Sequence, residues 1–313
     1  MSDFLERTLE LAERGRGTTH PNPVVGAVVV KDGEVVGEGW HERQGEPHAE
    51  IHALRTAGPR ARGATLYVSM EPCSHHGRTP PCAQAVIQAG VAKVVVGSLD
   101  PNPEVDGVVA LRAAGIEVEV AESFDARRLN EAWRTWVALG RPFVTYKVAV
   151  TLDGRVTVPG SRWVTGEESR RLVHELRAAS DAVAVGMGTV RADNPRLDAR
   201  GLEVARQPRR LAFGRGPLPE GSELELRQGP LREELGALGE DGVQALLLEG
   251  GPTLAASFLA EDLVDKLLVF VAPVLSGEGP FAFGPLSRPV DLVRLRERRV
   301  GTDVLLEAYV HSP

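Results

Sequence analysis

Three short stretches of the sequence are the most informative: Pro47-His48-Ala49-Glu50, Glu71-Pro72-Cys73 and Pro81-Cys82. A zinc deaminase needs three protein ligands, an open fourth position for water, and a carboxylate that moves protons without binding the metal. One histidine and two cysteines form such a ligand set, and Glu50 lies two residues after His48, at the start of the same predicted helix. The first Pro-Cys follows a predicted strand and the second cysteine opens a helix, which is the order that the deaminase signature requires. The sequence therefore predicts a zinc site with ligands His48, Cys73 and Cys82.

Each part of this pattern has a plainer explanation when it is taken alone. A single His-x-Glu is usually a solvated helix face, and two lone cysteines are usually buried apolar residues. A structural zinc site would more often have a fourth Cys or His ligand, and it would leave Glu50 unexplained. The eight residues between the cysteines contain His75 and His76, either of which is an alternative ligand, and Arg78, which suits a phosphate or a polar ring.

Composition excludes several classes of protein. The chain has 313 residues, 36 basic and 43 acidic side chains, and a formal net charge of −7, which argues against a nucleic-acid or membrane-surface binder. No apolar run approaches the ~20 residues of a membrane span, and the Glu- and Arg-rich N-terminus is not typical of a secretory signal. Two cysteines exclude a disulfide scaffold and predict a cytoplasmic protein.

The pattern of elements predicts two α/β domains, residues 1–141 and 142–313, separated at Gly140-Arg141-Pro142. In the first domain, strands and helices alternate after an opening hairpin at Asp32-Gly33, and this alternation predicts helices on both faces of one sheet. Its last element is predicted as a single helix, Asp125–Leu139. In the second domain a new alternating series begins at Phe143, while residues 214–242 are predicted as loops with one short helix. The run Leu248–Leu254 is equally consistent with a phosphate-binding turn and with a plain tight turn.

Three segments of the first half closely resemble one family: Thr19–Gly26, Gly45–Glu50 and Glu71–Cys82 resemble the bifunctional riboflavin biosynthesis deaminase/reductases. The long insert between the cysteines is that family's own variant. The resemblance implies a cytidine-deaminase-like three-layer α/β/α domain that deaminates 2,5-diamino-6-ribosylamino-4(3H)-pyrimidinone 5′-phosphate, with Glu50 as catalytic proton donor. It also implies substrate-binding positions at Asn22, His41, Asp100 and Asn102. For the last two, a simple Asp-Pro-Asn-Pro turn is an equally good explanation.

Four segments of the second half resemble the reductase domain of the same family: Lys147–Arg155, Ser161–Trp163, Gly188–Pro195 and Glu249–Leu254. The resemblance implies a dihydrofolate-reductase-like α/β domain that uses NADPH to reduce the ribosyl group of the deaminated product to ribityl. The implied NADPH positions are Val150, Trp163, Thr189, Asp193, Gly251, Pro252, Thr253, Leu254, Ala255, Ala256 and Ser257. The implied substrate positions are Ser161, Arg177, Leu197, Arg200 and Glu249.

Some of these residues also have a chemical reason for their role. Arginines such as Arg177 and Arg200 suit a sugar phosphate, although surface arginines are equally common in this chain. Lys147 is the candidate to polarise or protonate the reacting oxygen, the alternative being a strand lysine in a surface salt bridge.

Two segments depart from the family pattern. The stretch between Asp193 and Glu249 is short and reads Gly214-Arg215 where a turn with Asp or Ser is expected, and Pro103–Val108 lacks a second glycine. The alternative function is therefore a deaminase whose reductase-like domain has lost activity. A nucleic-acid-binding module is disfavoured by the net charge and by only three tyrosines. We expect small pyrimidine ribonucleotides as partners, with no nucleic acid and no membrane, and the sequence leaves a homo-oligomer open.

Overall fold

The computed structural model describes residues 3–74, 81–204, 206–286 and 288–313. Contacts within the chain separate it into two units, with the division between Leu139 and Gly140. This division lies two residues before the boundary expected from the sequence. No helix in the part of the chain that the structure describes is long and apolar enough to cross a membrane.

The first unit is built on a sheet of five strands in the order β2-β1-β3-β4-β5. Strand β1 is antiparallel to β2 and β3, whereas β3, β4 and β5 are parallel. The strands are β1 (Gly26–Lys31), β2 (Glu34–Trp40), β3 (Thr65–Val68), β4 (Lys93–Val96) and β5 (Glu117–Val120). The helices are α1 (Asp3–Glu13), α2 (Ala49–Ala57), α3 (Cys82–Ala89), α4 (Gly107–Ala113), α5 (Phe124–Leu129) and α6 (Glu131–Leu139).

Helices cover both faces of this sheet because the side chains of its strands alternate between two apolar clusters. Ala27 and Val29 of β1 pack into a core with Ala53 of α2, whereas Val28 packs on the opposite face with Leu11 of α1. This arrangement confirms the predicted three-layer α/β/α architecture.

Helix α2 lies directly on strand β2, at two positions where the strand has no side chain. A Cβ atom added to Gly37 would lie 2.2 Å from the carbonyl oxygen of Ala53, and one added to Gly39 would lie 2.5 Å from the Cβ of His52. The absence of side chains at these two positions therefore sets how closely α2 approaches the sheet.

The single helix predicted for Asp125–Leu139 is wrong, because the chain forms two helices, α5 and α6, that meet at Asn130. Asn130 leaves the helical conformation, with φ −121° and ψ 29°, and its buried side chain bonds to the backbone of Val24. The physical reason for the break is therefore a long-range side-chain contact, which the local apolar pattern does not reveal.

The second unit is built on an eight-stranded sheet in the order β12-β13-β11-β6-β10-β7-β8-β9. The six strands from β11 to β9 are parallel to one another. Strand β13 is antiparallel to its neighbour β11, and β12 is antiparallel to β13. The strands are β6 (Phe143–Thr151), β7 (Ala182–Gly186), β8 (Arg209–Phe213), β9 (Glu225–Arg227), β10 (Ala245–Leu248), β11 (Lys266–Ala272), β12 (Val293–Val300) and β13 (Asp303–Tyr309). The helices are α7 (Glu167–Ala178), α8 (Met187–Asp193), α9 (Leu231–Glu240) and α10 (Pro252–Ala260).

Apolar residues of β6 explain its central place in this sheet. Tyr146 and Val148 pack with α9 and α10 on one face, and Ala149 packs with Val173 of α7 on the other. The carboxyl ends of the parallel strands β6, β7 and β10 lie along one edge, which is where α/β sheets bind ligands. The segment 214–242, predicted as loops with one short helix, contains both β9 and the ten-residue helix α9.

Candidate active sites

Three elements bring the predicted zinc ligands together. His48 directly precedes α2, Cys73 follows β3, and Cys82 is the first residue of α3. The Nδ1 atom of His48 lies 3.6 Å from the Sγ of Cys73 and 3.3 Å from the Sγ of Cys82. All three ligand atoms lie within 4.8 Å of one another, and within the described residues no other His, Cys, Asp or Glu group of this size converges in this way. One nitrogen and two sulfur donors fit a zinc ion with one position left open.

The electrostatics of the two thiols also favour a cation. Hydrogen bonds from Cys82 and from His48 lower the pKa of Cys73, while the bond to Cys73, together with burial, raises the pKa of Cys82. The hydrogen bond with Cys73 likewise raises the pKa of His48. One thiolate is therefore favoured at the pair, and a positive charge is needed to hold both sulfurs deprotonated.

Glu50 faces these ligands from the first turn of α2. Its side chain is buried, its Oε2 atom has no hydrogen-bond partner, and burial raises its pKa to about 7. A buried carboxylate oxygen without a hydrogen-bond partner lowers the stability of the fold, so its presence indicates a functional role. This oxygen is where the deaminase signature places the proton-transfer group, whereas a structural zinc site would leave it unexplained.

The structure also brings Asn22 and His41 to the zinc ligands. The ring of His41 lies edge-on to that of His48, with centroids 5.2 Å apart. Its Nδ1 atom lies 3.3 Å from the carbonyl oxygen of Pro47, and its Nε2 atom lies 3.4 Å from the Nδ2 of Asn22. Burial lowers the pKa of His41, so we assign a neutral ring that donates from Nδ1 and accepts at Nε2.

Asp100 and Asn102 lie in a turn after β4. The Oδ1 of Asp100 accepts the N–H of Asn102 at 2.8 Å, and the Oδ1 of Asn102 accepts the N–H of Glu104 at 3.0 Å. The turn that the sequence offered as an alternative is therefore present. The other open alternatives of this region, His75, His76 and Arg78, lie outside the described residues.

In the second unit, Lys147, Arg177 and Glu249 form one cluster. The Nζ of Lys147 lies 3.5 Å from the Oε2 of Glu249. The Nε and Nη2 atoms of Arg177 donate to the same carboxylate at 2.6 and 3.0 Å. The Lys147 side chain is only 15% exposed, so its ion pair is not the surface salt bridge of the alternative explanation. Burial would raise the pKa of Glu249, but the two cations lower it overall. The cluster therefore carries one net positive charge, which suits an anionic substrate.

The other predicted substrate residues of this unit, Arg200, Leu197 and Ser161, differ in their surroundings. Arg200 is half exposed and donates to the Oδ1 of Asp198 at 2.9 Å, and Arg177 donates to the carbonyl oxygen of Asp198 at 3.2 Å. Leu197 is 2% exposed and its side chain packs into the core, which leaves only its backbone for a ligand. Ser161 is exposed, and its Oγ caps the backbone of Trp163.

The structure brings some of the predicted cofactor residues close to one another. Val150 is the last residue but one of β6, and a Cβ added to Gly251 would lie 3.6 Å from the Oγ1 of Thr189, so the starts of α8 and α10 are neighbours. Trp163 is 47% exposed, with Arg162 and Arg170 stacked on its ring. Gly251 precedes α10 without any side-chain cap, and the first two turns of that helix contain Pro252, Thr253, Leu254, Ala255, Ala256 and Ser257. Ala255 is fully buried, which leaves its side chain no access to a ligand, and Asp193 is exposed at the end of α8.

Sequence reasoning missed three residues that hold these sites together. Glu71 bonds to the backbone of both Asp100 and Val108, Asn130 bonds to Val24, and Asp198 bonds to the two arginines described above. A signal was present for Asn130, since asparagine is a poor helix former in the middle of a helical pattern. Glu71 stands inside the quoted motif, but nothing local indicates its partners.

Comparison with known proteins places both units in one family. Residues 1–98 match the cytidine and deoxycytidylate deaminase zinc-binding region, and residues 142–306 match the RibD C-terminal domain. The riboflavin biosynthesis proteins RibD of Aquifex aeolicus and Escherichia coli are 43% and 40% identical, over 97% of this chain and 97% of each relative.

Two solved structures agree with this similarity over the whole chain. RibD of Acinetobacter baumannii is 38% identical with a TM-score of 0.80, and its structure covers 98% of this chain and 97% of its own. A diaminohydroxyphosphoribosylaminopyrimidine deaminase/5-amino-6-(5-phosphoribosylamino)uracil reductase of Thermotoga maritima is 35% identical with a TM-score of 0.81 and the same coverage. The chain therefore belongs to the RibD family, the bifunctional deaminase/reductases of riboflavin biosynthesis, and carries a zinc-binding deaminase domain and a reductase domain.

Proposed function

We propose that the first unit deaminates 2,5-diamino-6-ribosylamino-4(3H)-pyrimidinone 5′-phosphate by hydrolysis, with zinc held by His48, Cys73 and Cys82. The observation that carries this proposal is the buried, unpartnered Oε2 of Glu50 beside three converging ligand atoms. A zinc ion bound there would polarise the water that replaces the ring amino group. Glu50 takes a proton from that water and delivers protons to the pyrimidine, so that water is consumed and ammonia leaves.

We further propose that Asn22, His41, Asp100 and Asn102 hold the substrate of this reaction. The neutral ring of His41 accepts the Asn22 amide at Nε2, which leaves that amide a second N–H donor and a carbonyl acceptor for a ligand. A diaminopyrimidinone carries amino donors and a carbonyl acceptor, so this pair suits its polar edge.

For the second unit we propose reduction of the ribosyl group of 5-amino-6-ribosylaminouracil 5′-phosphate to ribityl. NADPH would supply the hydride to C1′ of the opened ribose, and the residues proposed to hold it include Val150, Trp163, Thr189 and the start of α10. The uncapped first turn of that helix offers backbone N–H groups to a phosphate. Lys147 would protonate or polarise the reacting oxygen, a role that its buried ion pair with Glu249 supports, while Arg177 and Arg200 would bind the substrate's anionic groups.

The competing function is a deaminase whose second unit no longer reduces. Its support is the stretch between Asp193 and Glu249, which is short against the family pattern and reads Gly214-Arg215 where a turn with Asp or Ser is expected. The intact Lys147–Glu249–Arg177 cluster favours the bifunctional enzyme. Residues lost from outer structure would weaken cofactor binding, raising KM for NADPH, rather than the hydride step in kcat.

The test is incubation of the protein with the diaminopyrimidinone nucleotide, with and without NADPH, followed by mass measurement of the products. We expect the deaminated product without NADPH and the ribityl product with it. In the Glu50→Gln variant, deamination should fall by at least ~10²–10⁴-fold, while zinc and the reduction of supplied deaminated substrate remain. No NADPH oxidation at any concentration, from folded protein with a working deaminase, would favour the competing function.

We also propose that the enzyme works in the cytoplasm, where the two thiol ligands stay reduced.

We further propose that two copies of the chain pair through β12. Seven of the eight residues of this edge strand are exposed, Leu295 by 65%. An antiparallel pair of β12 strands centred between Arg296 and Glu297 would set each arginine opposite the other copy's glutamate. Sedimentation of the protein and of Leu295→Lys tests this pairing, since the variant should be monomeric.

A further inference from the structure

Glu71 is a buried carboxylate that the proposed reaction does not use. It lies three residues after the end of β3 and immediately before Pro72-Cys73, and it is 9% exposed. Its Oε1 accepts the backbone N–H of Val108 at 2.8 Å, and its Oε2 accepts that of Asp100 at 3.3 Å. One side chain thus connects the segment that carries a zinc ligand to both ends of the loop after β4.

The loop after β4 is closed on itself and is tied to the zinc-ligand segment at several points. The side chains of Asp100 and Asn102 each bond to the backbone two residues further on, which makes the loop a single unit. At its far end the Oγ of Ser74 accepts the N–H of Asp106 at 3.0 Å. A Cβ added to Gly107 would lie 1.8 Å from the carbonyl oxygen of Pro72, so the two backbones touch there.

We propose that Glu71 is a positioning residue of the deaminase, which fixes the Asp100–Asn102 turn at a set distance from Cys73. This inference rests on the proposed function, in which Asp100 and Asn102 hold the substrate. An ionised carboxylate has only acceptor atoms, so it satisfies two N–H donors at once. A glutamine of the same size presents one acceptor and one NH₂ group, which would face one of the two N–H donors and release that end of the loop.

The first experiment measures deamination kinetics and zinc content of Glu71→Gln. We expect full zinc, unchanged reductase activity, and a loss of about 10- to 100-fold in kcat/KM of deamination, mostly as a higher KM, because a hydrogen bond to a charged group is lost. Glu71→Asp keeps the charge but shortens the reach, so we expect a smaller rise in KM, and this variant serves if Glu71→Gln does not fold. The control is Glu104→Gln, the same change at an exposed position of the same loop. Loss of zinc from either Glu71 variant would overturn the proposal, since Glu71 would then support the metal site itself.

The second experiment repeats the substitution in a variant that lacks both loop side chains, Asp100→Ala/Asn102→Ala. If Glu71 acts through these side chains, Glu71→Gln changes KM by less than about threefold in that background. An equal loss in both backgrounds would overturn the proposal. If Asp100→Ala/Asn102→Ala raises KM but Glu71→Gln does not, the proposal fails and the proposed function stands. If the double variant keeps the KM of the unmodified enzyme, the substrate role of the loop fails, and the role of Glu71 fails with it.

Discussion

Asn130 holds the backbone of Val24 from both sides: its Oδ1 accepts the N–H of Val24 at 2.9 Å, and its Nδ2 donates to the C=O of Val24 at 2.8 Å. The two residues are 106 positions apart in the chain, and Asn130 is 6% exposed. Because the buried amide of Asn130 bonds both backbone polar groups of Val24, the backbone is held in one position there. We call these two Asn130–Val24 hydrogen bonds the clamp. Asn22 lies only two residues before Val24, so the clamp also positions Asn22 in the proposed substrate pocket.

Replacing the clamp should therefore damage the deaminase alone. Asn130→Ala leaves two backbone groups without partners, at a cost of about 1–3 kcal/mol each in the free energy of unfolding of the first unit. We expect a lower melting temperature and a higher KM for deamination, with unchanged reduction. Asn130→Asp keeps the acceptor for the Val24 N–H and should be intermediate in KM. Equal KM values for Asn130→Ala and the unmodified enzyme would show that the clamp does not set the pocket.

Metal content tests the ligand assignment directly. The purified protein should contain about one zinc per chain, and Cys82→Ser should lose it, because a neutral hydroxyl replaces a thiolate poorly. Elemental analysis measures both values, with Gln84→Ser, an exposed position on the same helix, as the control. Full zinc in Cys82→Ser would instead assign His75 or His76 as the third ligand.

The charged cluster of the second unit predicts how its substrate binds. Glu249→Gln leaves Lys147 and Arg177 without their shared carboxylate, and losing one partner of a buried charge pair costs about 2–5 kcal/mol, or at least ~30-fold in kcat/KM. We expect this loss for the ribosyl substrate, with the KM for NADPH and the deaminase activity unchanged. Steady-state NADPH oxidation separates the two KM values, and Glu240→Gln, at an exposed helix end, is the matched control. A rise confined to the KM for NADPH would contradict the substrate role of Glu249.

The buried pair of Arg141 and Asp265 predicts an acid-sensitive stability. Arg141 donates to both oxygens of Asp265, at 2.7 and 2.8 Å, and Val144 donates its N–H at 2.8 Å. Burial would raise the pKa of Asp265, but the hydrogen bonds from Arg141 and His311 lower it overall. A lowered carboxyl pKa stabilises the fold above the ordinary aspartate pKa of about 4, and this stabilisation is lost as pH falls through the lowered value.

Thermal melting at several pH values measures this effect. At pH 7, Asp265→Asn should lower the free energy of unfolding by about 3–5 kcal/mol, since it leaves Arg141 buried without its counter-charge. The difference between the variant and the unmodified protein should shrink below pH 4. Asp241→Asn, which removes an exposed ion pair with Arg209, should change stability by no more than about 1 kcal/mol. A constant difference between pH 7 and pH 3 would contradict the role of Asp265 ionisation.

The parts of the fold that sequence predicted best are those fixed by neighbours along the chain. The β-branched run Val24–Val30 indicates β1 locally, the prolines before Cys82 indicate the start of α3, and the spacing of His48 and Glu50 fixes both at one helix end. The break at Asn130 was not predictable in this way, because its cause lies 106 residues away in the chain.

The candidate sites divide along the same line. Residues inside contiguous motifs could be named from the sequence, but the partners of Glu71 are the backbone N–H groups of Asp100 and Val108, which only the folding of the chain brings to it. The carbonyl oxygen of Asp198 likewise accepts from the side chain of Arg177, which lies 21 positions earlier in the chain. Strand β12 escaped prediction because seven of its eight residues are exposed, so it has no buried side to produce an alternating pattern.

The absence of side chains at Gly37 and Gly39 of β2 limits which substitutions the deaminase domain tolerates. Helix α2 rests there on main-chain atoms, so any larger residue would lift the whole helix and carry Glu50 and the adjoining His48 outward together. Such a substitution would disturb zinc binding by His48 and proton transfer by Glu50 together, so these two functions cannot change independently at this position. Variation that widens this pocket for another pyrimidine should therefore arise in the loops that bear Asn22 and Asp100, while β2 keeps its two glycines.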